Sequence, residues 1–219
     1  MPDSTFAKTI KRPDAVPGER WTERLLRSKL FVVACLVLPG LWPVWPLLRQ
    51  EPSVLADPGK YLLHHLGFVA CVLLAVVLTF TPLRTIFPRS PEVRALNRHR
   101  RLVGVTVFVY AGLHFIMYLI YEGGFGTLTN DIGKPFILSG AVALAILLVL
   151  AVTSLDRVVR TLGGRRWRNL HRLVYFGAAL AAYHQIAASK LFPIQVVWIF
   201  GPMLVLQAGR LLKRHVIST

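Results

Sequence analysis

Residues 102–121 read LVGVTVFVYAGLHFIMYLIY. The stretch runs for 20 residues without Asp, Glu, Lys or Arg, follows directly on Arg100 and Arg101, and carries a single histidine, His114. A helix rising ~1.5 Å per residue needs roughly 20 residues to cross a ~30 Å hydrocarbon core. A strand of a membrane barrel would alternate apolar and polar residues over ~10 positions, and this stretch does not alternate. It reads as a membrane-spanning helix.

Five further runs share the pattern: 30–48, 61–83, 135–155, 173–189 and 191–209, of 19, 23, 21, 17 and 19 residues. The expected fold class is therefore an all-α membrane protein, a six-transmembrane-helix bundle over residues 30–212. A basic leader (1–29) precedes it and a short tail (213–219) follows. The first run stands behind a polar segment, lacks a small-residue cleavage site and ends in Pro39, Pro43 and Pro46, so it reads as a retained span and not a signal peptide.

Orientation follows from the basic residues between the runs. Of the 26 Lys and Arg, 22 fall in segments 1–29, 84–101, 156–172 and 210–219, which share one side; Arg49, Lys60, Lys134 and Lys190 fall on the other. The asymmetry predicts both termini in the cytoplasm. It also resolves an apparent conflict in composition. A net charge of +16 suggests a nucleic-acid ligand, yet 54% of residues are hydrophobic, only 16% are charged, and mean hydropathy is +0.54. A soluble basic domain or a disordered basic tail would not be this apolar. The expected partner is a lipid bilayer and no nucleic acid.

Among the remaining segments, an amphipathic stretch is expected near Trp21–Lys29. The outer loop Glu122–Lys134, with Gly123, Gly124, Gly126 and Gly133, is expected to be flexible. The chain shows no internal repeat and no low-complexity segment, and leaves room for one membrane domain.

Cys35 and Cys71 both fall within spans and form no C-x-x-C, which excludes covalent haem attachment and leaves them as packing residues. The histidines say more, because ionisable groups at membrane depth are costly and mark function. His114 stands 12 residues, or ~18 Å, from the inner end of its run, and His184 stands 11 residues, or ~17 Å, from the inner end of the fifth. These two runs point the same way, so the two imidazoles share a depth. As neighbours they can ligate one haem iron from opposite faces. Small residues flank each: Ala111 and Gly112 beside His114, and Gly177, Ala178, Ala179, Ala181 and Ala182 before His184. They open a slot for a flat macrocycle or promote tight helix packing, and spacing alone leaves both readings open.

His171 lies 13 residues before His184, about 140° away around a continuous helix, at the inner membrane end. It can serve a second inner haem, a flavin or a quinone, or sit as an interfacial histidine in a basic run. His64, ~28 Å from the inner end of the second span, is placed near the outer surface, and His65 reads as a bystander. His99 and His215 lie in basic segments and read as solvated. No G-x-G-x-x-G, Walker A or H-E-x-x-H is present. The spans also lack the carboxylates that proton pumps and ion-coupled transporters keep, which weakens the reading as a non-haem six-helix transporter or assembly factor.

Taken in order, His64-His65-Leu66-Gly67, Thr81-Pro82-Leu83-Arg84, Arg100-Arg101-Leu102-Val103-Gly104, Leu113-His114, Thr153-Ser154 and Trp167-Arg168-Asn169-Leu170-His171-Arg172-Leu173-Val174-Tyr175, with His184 following, resemble the MsrQ family (formerly YedZ). Its members are haem-binding membrane subunits of the bacterial methionine sulfoxide reductase system, among the ferric-reductase-like transmembrane domains. The resemblance covers about residues 25–213. It implies a multi-pass inner-membrane protein with haem b, one or two per chain, and FMN. It also implies electrons drawn from the quinone pool or a cytoplasmic flavin reductase and passed to a periplasmic molybdopterin partner, MsrP. That partner repairs oxidised methionine in envelope proteins, so this chain would itself hold no catalytic residue.

The family's haem-linked histidines fall on His114, His171 and His184, and its second-span histidine on His64. Another b-type cytochrome subunit with a different acceptor is the alternative. The last run is followed by only ten residues, so a flavin and nicotinamide domain is not expected. Arg100, Arg101, Arg168 and Arg172 crowd the inner face near His171. They hold haem propionates, the FMN phosphate or a quinone headgroup, or they record positive-inside topology alone.

Overall fold

The computed structural model describes residues 21–189 and 192–218, so the leader up to residue 20 and the join of the last two runs at 190–191 lie outside it. In chain order the described helices are α1 (Trp21–Arg27), α2 (Lys29–Leu41), α3 (Val44–Leu48), α4 (Pro52–Leu55), α5 (Pro58–Ile86), α6 (Pro91–Arg98), α7 (Arg100–Glu122), α8 (Phe125–Asp131), α9 (Pro135–Val152), α10 (Asp156–Leu170), α11 (Leu173–Ala187) and α12 (Ile194–Ser218). Four are long and apolar enough to cross a membrane: α5, α7, α9 and the Ile194–Lys213 part of α12. The apolar helices α2 and α11 are shorter. The first expected run is broken at Trp42 and Pro43 into α2 and α3, and the fifth gives a helix of 15 residues, about 22 Å long. The expected tail is continuous with α12 as far as Ser218.

Helix starts are written locally. Ser28, Asp57 and Ser90 accept hydrogen bonds from the N–H groups of Phe31, Lys60 and Val93, three residues on. Pro58, Pro91 and Pro135 occupy first-turn positions where no N–H is needed. α7 stops at Gly123, whose φ of 94° is left-handed and whose N–H closes on the Leu119 carbonyl. The glycine-rich loop that follows, expected to be flexible, instead carries α8.

α5 is the hub. It packs along α7 and α12 and also meets α2, α6 and α11, while α9 packs along α11 and touches α7. The main core joins Leu74, Ala75 and Leu78 of α5 to Val107 of α7, Leu147 of α9, Ala178 of α11 and Val196, Phe200 and Met203 of α12. In lipid, apolar burial does not hold helices together, and polar ties matter more. Several side chains here donate to a backbone carbonyl on another helix. Pro43 and Pro82 supply no N–H to the carbonyls four residues earlier, Pro39 and Leu78. His65 Nε2–H reaches the Pro39 carbonyl at 2.7 Å, and Gln207 Nε2–H reaches the Leu78 carbonyl at 3.0 Å. Tyr110 O–H donates to the Leu36 carbonyl at 2.7 Å, with Gly40 of α2 packed against the phenol ring. His65, read as a bystander, is therefore a structural tie.

On the basic face, α1 packs on α6. Glu23, buried, pairs with Arg27, and His99 Nε2–H donates to the Leu26 carbonyl at 3.0 Å. Lys213 Nζ closes the end of α5 on the Ile86 carbonyl at 2.9 Å, a cation at a helix C-terminus.

Candidate functional site

His114 and His184 meet. Their ring centroids lie 6.2 Å apart with the ring planes at 82°. Each ring is anchored in the same way. His114 Nδ1–H donates to the Leu63 carbonyl on α5 at 2.8 Å, and His184 Nδ1–H donates to the Phe136 carbonyl on α9 at 2.6 Å. In each helix the residue four positions on, whose N–H is the usual partner of that carbonyl, is a glycine: Gly67 and Gly140. A Cβ at Gly67 would stand 2.9 Å from His114 Nδ1, and one at Gly140 2.7 Å from His184 Nδ1. The pair α5–α7 thus repeats the device of the pair α9–α11: carbonyl, glycine, then a histidine on the partner helix. No internal repeat was legible in the sequence, because only these few positions recur.

With both protons held at Nδ1, each Nε2 presents a lone pair. A metal-bound imidazole nitrogen at about 2.0–2.1 Å, itself roughly 1.1 Å from its ring centre, puts two opposed rings about 6.2–6.4 Å apart. The observed separation fits a metal between them. Among the described residues no three His, Cys, Asp or Glu converge on one ion. Two opposed imidazoles are the donor set for a metal whose other positions a macrocycle fills. The space around the rings agrees: an apolar slot walled by Gly67, Ala70, Ala111, Gly140, Ala141, Ala143 and Ala181 and closed by Phe115, Tyr118 and Leu128. Gly112 faces open space, and Ala179 and Ala182 lie outside the slot.

Leu74, Val107 and Leu147 also wall a second space, a cleft of about 730 Å³ toward the basic face. Arg100, Arg101, Arg165, Arg168, Arg172 and Arg210 line it, with His171, Trp167 and Ser154. Arg101 pairs with Asp156 at 2.6 Å. His171 stands at the turn between α10 and α11, so the angle reckoned along one continuous helix to His184 does not apply. Its ring stacks on Trp167 at 3.9 Å, and Nδ1–H donates to the Trp167 carbonyl at 3.0 Å. Trp167 Nε1–H in turn donates to the Thr153 carbonyl at 3.0 Å. Burial, and then Arg100 and Arg101, hold His171 below the ordinary histidine range. Its Nε2 lies 3.3 Å from Ser154 Oγ, whose hydrogen goes to the Leu150 carbonyl at 2.8 Å. His171 is also close enough to the Leu150 carbonyl to interact with it, and among the described residues no second imidazole lines the cleft.

His64 is not brought to either space. Its side chain is exposed near the start of α5. Trp167, Ser154, Gly67 and Gly140 were missed as site residues; the first three lie in the quoted motif stretches, but their roles depend on which helices pair.

Comparison with known proteins identifies the family. Residues 66–182 match the family described as ferric reductase like transmembrane component. The chain is 34% identical over 212 residues to the protein-methionine-sulfoxide reductase heme-binding subunit MsrQ of Brucella anthropi, covering 95% of this chain and 90% of that one. It is 34% identical over 192 residues to the MsrQ proteins of Brucella ovis and Brucella melitensis, covering 86% of this chain and 80% of theirs.

Proposed function

This chain belongs to the MsrQ family of heme-binding membrane subunits, and from that membership we propose that it relays electrons through haem b from the basic membrane face to a partner reductase on the opposite side. His114 and His184 would hold the iron. The observation that carries this is their 6.2 Å ring separation with both Nδ1 atoms tied to carbonyls. Bound there, haem supplies a one-electron couple. The protein's own part is to orient both imidazoles, keep their Nε2 lone pairs inward and exclude water with an apolar slot.

The inner cleft is the entry point in this reading. His171 offers a ligand for a second haem. Arg100, Arg101 and Arg168 suit propionates, the phosphate of FMN or a quinone headgroup, by charge-assisted hydrogen bonds. The donor would be the quinone pool or a flavin reductase, and the acceptor a periplasmic molybdopterin subunit of the MsrP type. Six crossings with both termini cytoplasmic accommodate the basic segments 84–101, 156–172 and the end of α12 on one side. His64, exposed at the outer end, would face the acceptor's side.

The test is spectroscopic. Membranes holding the full chain, made with haem in excess, should give a low-spin b-type spectrum that shifts on dithionite reduction. His114→Ala and His184→Ala should each abolish the low-spin signal. A low-spin spectrum retained in both variants, or a colourless wild type, overturns the assignment.

A further inference from the structure

A third space, a groove of about 670 Å³, opens on the flank of the bundle between α11 and α12. These two helices diverge, because α11 packs on α9 and α12 packs on α5. The body of the groove is apolar. Ala178, Ala179 and Ala182 form one wall, where the absence of bulk leaves a furrow, and Phe200, Met203 and Leu204 form the other. Leu204 is 60% exposed, so the furrow faces what surrounds the bundle.

One end is different. Arg172, Tyr175, Gln207 and Arg210 close it, and among the described residues no Asp or Glu lines the groove. Arg210 Nη1 donates to Tyr175 Oη at 3.1 Å and to Gln207 Oε1 at 3.3 Å, which leaves its buried Nε–H without a partner. Two guanidiniums thus face one space, and one of them holds a buried donor unused. Burying a donor unpaired is costly, and like charges at one site call for a counter-ion.

We infer that this groove binds an anionic phospholipid, its phosphate between Arg172 and Arg210 and an acyl chain along Ala178, Ala179 and Ala182. Basic pockets between membrane helices on the cytoplasmic side suit such headgroups, and a guanidinium fork matches phosphate oxygens. A neutral quinone headgroup would leave both positive charges uncompensated. Arg172, Tyr175 and Arg210 also line the inner cleft, so the lipid phosphate would fix three side chains of that space from outside.

The inference rests on the bundle lying in a bilayer with its basic face at the inner leaflet, and not on the electron-transfer role. The test uses the full-length haem-loaded chain in detergent, incubated with phosphatidylglycerol, phosphatidylcholine, inorganic phosphate or a short-chain quinone, and read by native mass spectrometry. One phosphatidylglycerol should be retained over phosphatidylcholine. Replacing both arginines (Arg172→Gln with Arg210→Gln) should cut retention roughly tenfold or more, and the two Lys replacements should restore most of it. Ala182→Phe, which fills the furrow and keeps the charges, should also lose the lipid. Arg172, Arg210 and Ala182 lie outside the slot of His114 and His184, so the low-spin signal of that pair reports folding of each variant separately, and a failure of the haem assignment and a failure of the lipid site are distinct results. Equal retention of phosphatidylcholine overturns the proposal. So does retention unaffected by the arginine or Ala182 changes, displacement by inorganic phosphate alone, or one-for-one displacement by the quinone.

Discussion

Gly140 lies where any side chain would collide with the His184 ring: a Cβ there would stand 2.7 Å from Nδ1. The ring cannot give way without losing its bond to the Phe136 carbonyl. Gly140→Ala should therefore destabilise the loaded protein by about 1–3 kcal/mol, although Ala is the better helix former by about 1 kcal/mol. Gly67→Ala, with a clearance of 2.9 Å, should act the same way on His114 and more mildly. Haem retention during thermal unfolding in detergent checks both; variants more heat-stable than wild type would refute the argument.

The 82° angle between the two imidazole planes has a spectroscopic consequence. If both rings hold one haem iron, near-perpendicular planes would leave two iron d orbitals close in energy and make a low-spin ferric signal strongly anisotropic. Low-temperature electron paramagnetic resonance of the oxidised protein should show that form. An ordinary rhombic signal would mean that the rings rotate despite their carbonyl anchors.

Ser154 should control the availability of His171. His171→Ala is expected to leave the His114–His184 signal intact while slowing reduction by quinol. Ser154→Ala, which removes the group 3.3 Å from Nε2 and leaves the imidazole in place, should change the rate by roughly tenfold at most. Stopped-flow reduction in membranes separates the two.

Tyr118 stands one turn beyond His114, lines the same slot, and its buried hydroxyl has no partner. In the empty protein Tyr118→Phe should cost nothing or stabilise slightly. In the loaded protein it should lower the midpoint potential if the free hydroxyl donates to an anionic group of the bound cofactor. Potentiometric titration beside apoprotein melting gives both readings, and an unchanged potential would remove the role.

At the outer end, Asp57 caps α5 and accepts from Lys60 N–H at 2.9 Å and Tyr121 O–H at 2.7 Å. These bonds hold its carboxyl below the usual carboxylate range, the backbone bond contributing most. A lowered folded value stabilises the folded state above the unfolded pKa and loses that support as pH falls through the folded one. Tyr121→Phe removes one bond, so the acid loss of α5 capping should begin at higher pH, as circular dichroism against pH would show.

Much of this was legible in advance for a physical reason. Depth along a helix is residue count times rise, so the shared level of His114 and His184 followed from two counts. What sequence could not show depends on which helices pair. The carbonyls of Leu63 and Phe136 become ring anchors only because α5 lies along α7 and α9 along α11. The turn that sets His171 apart from α11 was not legible, because the break at 171–172 carries no glycine or proline to announce it. The helix α8 was not legible in the loop because four glycines outweigh so short a segment, whose Leu128 lines the slot.

If His114 and His184 hold the iron as proposed, the placing of the two rings on separate hairpins sets an order for biogenesis. His184 is translated 70 residues after His114. At about 5–20 residues per second a nascent chain spends several seconds with half a site. During that interval α5 and α7 can already pair and hold one imidazole ready, but nothing opposes it. On that reading, cofactor capture would follow insertion and clasp two preassembled hairpins together. A chain truncated before α11 would enter the membrane and remain unclasped.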